Sequence, residues 1–402
     1  MHVHPPLEVF QLSTLAELAS LRSRWNELAG SMPTRSWEWM ERWWRVYGNA
    51  SRAAKSGNLG SGESIKENEL YLLAVFESPD RLIAIAPWYI EHSINYGRTL
   101  RFLGSGEICT DYSTILCEPG RERAVTEALA RSLCDPLHVA DWLTQNSVRH
   151  WDRIEFNAIA RQDRILQQLF SEMERHNNLV HRRASANSWR IELPRSWDAY
   201  LALLSKSHRK QLRRCQRQYF DSGRASIHWV ENEPQLDIAW DLLVRLHQDR
   251  QQSRGNSGCF ASAHYATFHR GMASELLRAG QLWLGWLEID GRPLAVEYQF
   301  VDGKTVFAYQ GGIDHSVLEL SPGQMILSAS IQRAISEGYS TFDFLRGDEP
   351  YKPHWRAEPH PLEDVRIVKR TASNQVRKGL WVAGDHVRNW LRGSFGLATL
   401  GT

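Results

Sequence analysis

Two stretches about 200 residues apart run through the same order of elements, and this repetition constrains the fold more than any other feature of the chain. In the first, LYLLAVF from Leu70 and RLIAIAPWYI from Arg81 flank a turn at Ser78 to Asp80. TDYSTIL then leads to a helix predicted from Arg121 to Cys134, and WDRIEF returns as a strand. In the second, QLWLGWLEI, RPLAVEYQF and KTVFAYQGG are consecutive strands joined at Asp290-Gly291 and Asp302-Gly303, the dipeptides that favour tight hairpins. A helix from Gln324 to Glu337 stops at Gly338, and STFDFL follows as a strand. LLAVFESPDRLIAIAP and LGWLEIDGRPLAVEYQ share one local pattern of apolar strand, acidic turn, arginine and apolar strand. The chain therefore reads as two copies of one α+β unit rather than a solenoid.

A length of 402 residues suits two domains, each large enough for its own core. We place the first at 1–194, the second at 195–370 and a helical tail at 371–402. The formal net charge is +2, with 42% apolar and 23% charged residues, so any basic site is local and a broad nucleic-acid field is not expected. The 17 tryptophans, among them Trp37, Trp39, Trp43 and Trp44, are expected in core or seams. Cys109, Cys117, Cys134, Cys215 and Cys259 are odd in number and lack metal-type spacing, which argues against a disulfide framework or a zinc site. MHVHPPLEVF lacks the basic and apolar regions of a signal peptide, and no window approaches a membrane span, so a cytoplasmic location is expected.

Thr14 to Glu17 reads as a capping box opening an amphipathic helix, and Ser36 to Val46 as a second helix. Ser51 to Glu69 has the composition of a surface loop. Between the copies, Trp197 to Tyr219 reads as one long helix with Leu201, Leu204, His208, Leu212, Cys215 and Tyr219 on its apolar stripe. Lys206, Lys210, Arg213, Arg214 and Arg217 fall on its remaining surface, which can receive an anion. Gln375 to Arg392 reads as a basic helix near the end.

Chemistry concentrates in YSTFDFLRGDEPYKPHW, from Tyr339 to Trp355. A half-buried strand runs into a turn at Gly347, placing Asp343, Arg346, Asp348, Glu349, Tyr351, Lys352 and His354 close together in sequence. Glu297, on VEYQF, lies on the side of its strand opposite Val296 and Tyr298. A carboxylate in either strand would need its pKa raised by burial to act as a base near neutrality. The loop Gly255 to Gly258 reads as a lid, and no combined His and Asp setting marks the neighbouring Cys259 as a nucleophile.

With these pieces placed, the second half resembles the GNAT-like acetyltransferase domain of the CelD type, associated with cellulose and other exopolysaccharide synthesis, and the tandem arrangement resembles that family and the related Fem-type peptidyltransferases. The resemblance is carried by LLSKSHRKQLRR, the strands around Asp290 and Gly291, SPGQMIL and FDFLRGDEPYKPHW. RWNELAGSMPTRSWEWMERWW and LRFLGSGEICTDYSTIL extend it into the first half. It implies tandem GNAT-like domains, each a mixed sheet flanked by helices. It further implies transfer of an acetyl or longer acyl group from acyl-CoA, without a metal, to an amine or hydroxyl of a small molecule or cell-envelope saccharide precursor. Polysaccharide-synthesis machinery is the implied partner.

The resemblance also implies roles. Asp343 or Glu297 is the expected base and Tyr351 the acid that protonates the leaving thiolate, while Lys352 is expected to contact substrate. Gly311, Ser321, Gly323 and Gln324 are expected to hold the donor, the last three where Pro322 and Gly323 open a helix whose free N–H groups suit a pyrophosphate. Arg209, Arg213 and Arg346 are expected to meet phosphate or acceptor groups. That segment departs from the Gln/Arg-x-x-Gly-x-Gly/Ala turn of ordinary acetyl-CoA enzymes. An aminoacyl-tRNA donor, with tRNA as partner, therefore stays open, as does a catalytically inactive role in polysaccharide synthesis. The first copy lacks the Gly, Tyr and Lys that follow the strand in the second, so it is expected to be scaffold or an acceptor-binding wall.

Overall fold

The computed structural model describes residues 7–30, 32–48, 67–93, 97–135, 140–141 and 151–371. The predicted helix from Gln375 to Arg392 and most of the Ser51 to Glu69 loop lie outside the described residues. Two compact units emerge, one holding the chain up to Ser185 and again from Pro361, the other Ala186–His360.

In the first unit β1 (Glu8–Leu12) precedes α1 (Leu15–Leu18), α2 (Arg22–Ala29) and α3 (Trp37–Trp43). Thr14 caps α1 in a complete capping box with Glu17. β2 (Glu67–Ser78), β3 (Arg81–Ser93) and β4 (Gly97–Phe102) follow, then the short β5 (Leu116–Cys117), α4 (Glu122–Cys134), the short β6 (Ala140–Asp141), β7 (Arg153–Ala160), α5 (Arg164–Arg175) and β8 (Asn178–Glu192), which leads into the second unit. β1 to β4 pair antiparallel in sequence order, and β7 joins β4 in parallel, Leu100 opposite Ile154. Asp163 caps α5 through Leu166 N, and that helix buries Ile165, Leu166, Leu169, Phe170 and Met173 against the sheet. Trp25, Trp39, Trp43, Trp88 and Trp151 are buried, whereas Trp37 and Trp44 keep part of their surface in solvent. The buried indoles of Trp25 and Trp151 donate to Arg35 O and Leu133 O, each at 2.9 Å, which offsets the cost of enclosing their N–H groups.

The second unit repeats the plan. α6 (Trp197–Leu203) and α7 (Lys206–Cys215) come first, then β9 (Ala225–Trp229), α8 (Glu233–Ser253), α9 (Ala263–Arg278), β10 (Leu282–Ile289), β11 (Arg292–Asp302), β12 (Thr305–Ile313), α10 (Pro322–Ser336) and β13 (Thr341–Arg346). β9 to β12 pair antiparallel in sequence order and β13 joins β12 in parallel, as β7 joins β4. β14 (Glu358–Lys369) closes the described chain, its later residues pairing with β7 in the first unit. The fold is α+β, two units of one plan, each a mixed sheet with flanking helices.

The long helix expected from Trp197 to Tyr219 is broken. Leu204 and Ser205 are extended, and the Ser205 hydroxyl accepts from His208 N at 3.3 Å, starting a second helix. The apolar stripe survives the break: Leu201, Leu204, His208, Leu212, Cys215 and Tyr219 are all buried. α10 starts at Pro322, two residues before the expected Gln324, because proline at the first helical position needs no N–H partner.

Candidate active site

β12 and β13 pair only at their beginnings, Thr305 opposite Thr341, Val306 opposite Phe342 and Phe307 opposite Asp343. Beyond Phe307 the two strands part while β12 continues through Gln310, Gly311 and Gly312 to Ile313. The two glycines thin β12 here. A Cβ on Gly312 would lie 2.7 Å from His247 N and 2.9 Å from Leu246 Cβ, so α8 rests directly on the strand backbone. A Cβ on Gly311 would lie 2.9 Å from Glu297 Oε1, because Glu297 is the cross-strand partner of Gly311 and its carboxyl group sits over the bare backbone.

Enclosure pushes the Glu297 carboxyl up to about 8, against the opposing pull of the Arg250 guanidinium at the end of α8. Tyr351 stands in the same field. Enclosure raises its hydroxyl above the ordinary phenol range, the negative charges of Glu297 and Glu349 raise it further, and Arg250 opposes them. Yet 47% of the Tyr351 surface is exposed, so the residue stands partly in solvent while its enclosed hydroxyl stays protonated. A carboxyl group that titrates near neutrality, a protonated phenol and a guanidinium thus lie within electrostatic range of one another.

Asp343 is buried. Its Oδ2 accepts from Arg190 Nε at 2.8 Å and its Oδ1 from Leu345 N at 2.7 Å. Leu345 and Gly347 turn the chain at φ +57° and +125°, and the turn wraps around Lys352. The Lys352 ammonium donates to Gly347 O at 2.7 Å and to the carbonyls of Phe344, Leu345 and Arg346 at 3.4 Å each, and it pairs with Glu349 Oε2 at 2.7 Å. Only 2% of Lys352 is exposed. The lysine expected to meet substrate is therefore directed into its own loop, where it fixes the turn that carries Tyr351. Arg346 ends β13 and is part-exposed.

Just beyond this same end of β12, Ser321 adopts φ +60° and α10 begins without a side-chain cap. Gly323 lies beside Ile313, the last residue of β12, which brings the helix start next to that strand. Gln324 Oε1 is buried without a hydrogen-bond partner. Gln211 Nε2 donates to Ser321 Oγ at 3.4 Å, which brings α7 beside this helix start. Arg209 is half-buried and reaches Leu201 O, while Arg213 is exposed with Lys206, Lys210, Arg214 and Arg217. The expected residues thus form one group around Glu297, Gly311 and Tyr351 and another around Ser321, Gly323 and Gln324, joined by the end of β12. Asp343, in β13, and Lys352, enclosed by the turn that follows it, are buried.

Sequence reasoning missed Arg190, Arg250 and His247. Arg250 looks like one more polar residue in DRQQSR, and only its return to Glu297 distinguishes it. The expectation that Cys259 lacks a His and Asp setting is corrected in part: His247 Nε2 lies 3.6 Å from its sulfur. The Gly255 to Gly258 loop, expected as a lid, is tied to α8 by Gln248 Nε2 to Ser257 O at 2.9 Å and Asn256 N to Gln251 O at 3.0 Å. Among the described residues there is no cluster of three or more His, Cys, Asp or Glu able to hold a metal, and no helix long and apolar enough to cross a membrane.

Residues 206–353 match the family described as acetyltransferase (GNAT) domain. A comparison with curated protein sequences finds no match. Among solved structures, a conserved protein of unknown function from Bacteroides thetaiotaomicron VPI-5482 is similar at TM-score 0.51 and 10% identity, covering 89% of this chain and 99% of its own. FemX is similar at TM-score 0.50 and 8% identity, covering 80% of this chain and 90% of its own. At such identities these structures establish the shared fold, and the matched family lies within the unit that carries Glu297 and Tyr351.

Proposed function

We propose that the second unit transfers an acetyl or longer acyl group from acyl-CoA to an amine or hydroxyl acceptor. The observation that carries this reading is the Glu297 carboxyl, poised near neutrality over Gly311 where β12 and β13 part, with the protonated Tyr351 in its field. In the proposed reaction Glu297 takes the proton of the acceptor as it attacks the thioester carbon, and Tyr351 protonates the departing thiolate. The uncapped start of α10, with Ser321, Gly323 and Gln324, receives the donor's pyrophosphate, and Arg209, Arg213 and Arg346 supply positive charge to phosphate or acceptor. Asp343 and Lys352 act as positioning residues. The first unit serves as scaffold or acceptor wall. The acceptor class, a small molecule or cell-envelope saccharide precursor handled with polysaccharide-synthesis machinery, follows from the family resemblance noted above.

A thermal melt with CoA, acetyl-CoA and longer acyl-CoAs tests the donor. At about 100 times its Kd a ligand adds about 2.7 kcal/mol to the native state, worth roughly 5 to 10 °C in a unit of this size. A saturable shift that prefers one acyl-CoA supports the reading, and no shift with any thioester removes it. The exposed basic row Lys206, Lys210, Arg213, Arg214 and Arg217 favours an aminoacyl-tRNA donor as the second reading. Charged tRNA would then bind with a steep loss of affinity as salt rises.

A further inference from the structure

We infer that Cys259 is a nucleophile, with His247 as its base, that takes the acyl group from a thioester and holds it as an acyl-S-enzyme before transfer. The inference rests on the acyl-thioester reading above for its physiological donor, and on geometry for its chemistry. Cys259 Sγ lies 3.6 Å from His247 Nε2, and His247 Nδ1 lies 3.1 Å from Gln248 Oε1. Gln248 is oriented by its own Nε2, which donates to Ser257 O at 2.9 Å, so its oxygen faces the imidazole. An amide oxygen only accepts, so Nδ1 carries the hydrogen and Nε2 presents its lone pair to the thiol. A nucleophile, a base and a group that orients the base stand in line.

The surroundings are built around this arrangement. Gly258, at φ +73°, holds a backbone conformation that favours glycine, and a Cβ there would lie 2.1 Å from Gln248 Oε1 and turn that side chain away from His247. Gln310 Nε2 donates toward the sulfur at 3.4 Å and is a polar hydrogen available to a carbonyl oxygen gaining charge beside it. His247 is 5% exposed, while Cys259 retains a partly open surface. Burial pushes the thiol up to about 11 and holds the imidazole below its ordinary value, so the resting pair is neutral and attack requires transfer of the thiol proton to His247. Gln310 and Gly311 are consecutive on β12, and α8 supplies both His247 and Arg250, so this cluster and the Glu297 group share two elements.

The step balances without an oxidant or metal. On this two-step route Nε2 accepts the Sγ proton as sulfur bonds to the acyl carbon, the bond from that carbon to the donor sulfur breaks, and the proton on Nε2 passes to the departing donor thiolate, the part that direct transfer gives to Tyr351. Glu297 then takes the proton of the acceptor amine or hydroxyl as it attacks the enzyme thioester, and the Cys259 thiolate released as the acyl group leaves is reprotonated from water, to which Glu297 returns its proton.

The full chain is mixed separately with p-nitrophenyl acetate, which needs no CoA recognition, and with acetyl-CoA. The p-nitrophenolate release, intact mass and peptide map are read. The expected result is a one-equivalent burst and a hydroxylamine-labile acetyl group on Cys259, with the burst roughly 100-fold slower in His247→Gln, absent in Cys259→Ser and unchanged in Cys134→Ser. No acetyl on Cys259 from p-nitrophenyl acetate, or wild-type turnover by Cys259→Ser, overturns the inference even if acetyl-CoA shifts the melt. Acetylation of Cys259 by the ester without any melt shift by acyl-CoA upholds the nucleophile and removes the donor reading instead.

Discussion

The two units place a carboxylate at the same point of the same plan and differ two strands away. Ile154 pairs with β4 as Phe342 pairs with β12, so Glu155 and Asp343 are counterparts, and arginines meet both. Burial opposes ionisation of Glu155, but Arg101, Arg153 and Arg366 outweigh it and hold the carboxyl below its usual range. Asp343 is met by Arg190. In the preceding hairpins, RLIAIA from Arg81 matches RPLAVE from Arg292, and there the copies diverge: Ala86 is wholly buried in an apolar core, whereas its counterpart is Glu297. Arginine-paired carboxylates on the fifth main strand therefore belong to the architecture of both copies. Among the described residues, the carboxyl group near neutrality belongs to the second.

The largest expected effect follows from that difference. Glu297→Gln keeps the shape and removes the base, so kcat/KM for acyl transfer should fall roughly 100- to 10,000-fold, about 3 to 5 kcal/mol. In the wild type, activity should rise with pH through about 8, as the Glu297 carboxyl ionises, and the variant should lose that limb. A pH–rate profile of both proteins checks this, and an unchanged limb in the variant would move the base elsewhere.

Most of the architecture was legible because it rests on local chemistry. The Asp-Gly turns, the alternation in VEYQF and FDFL, and the Thr14–Glu17 capping box act within a few residues. The break at Ser205 was not, since a serine inside an amphipathic pattern reads as surface until its hydroxyl is seen on His208 N. At the site, strand alternation singled out Glu297, but its setting depends on Gly311 across the strand and Arg250 at the end of a helix. The enclosure of Lys352 was hidden because its partners are mostly backbone carbonyls, which leave no mark on side-chain pattern. The pairing of Cys259 with His247 needs the turn at Gly258, whose tight fit against Gln248 appears only in three dimensions.

A smaller effect separates the two arginine-paired carboxylates. Arg190→Ala takes away the guanidinium that meets buried Asp343, whereas Arg366→Ala leaves Glu155 with Arg101 at 2.8 Å and Arg153 at 3.5 Å. Breaking a buried pair from one side costs about 3 to 5 kcal/mol, and partial exposure of Arg190 brings its expected loss to roughly 2 to 3. Arg366→Ala should cost about 1 kcal/mol. Urea unfolding of the two variants measures both, and equal losses would mean that Asp343 is as redundantly held as Glu155.

A pH-dependent effect on stability has opposite signs in the two units. The folded Glu297 carboxyl lies near 8 against an ordinary 4.5, so folding favours its protonated form. The stability it confers is complete below about 4.5 and is lost as pH rises through about 8. The folded Glu155 carboxyl lies below 4.5, so its contribution is present above that value and is lost as pH falls through the folded pKa. Glu297→Gln should therefore melt close to wild type in acid and increasingly above it toward pH 8 and beyond, while Glu155→Gln should melt below wild type at neutral pH and converge with it in acid. Melts of the three proteins across that range distinguish a carboxyl group held for structure from one held for proton transfer. Parallel curves for the two variants would erase the distinction between the copies.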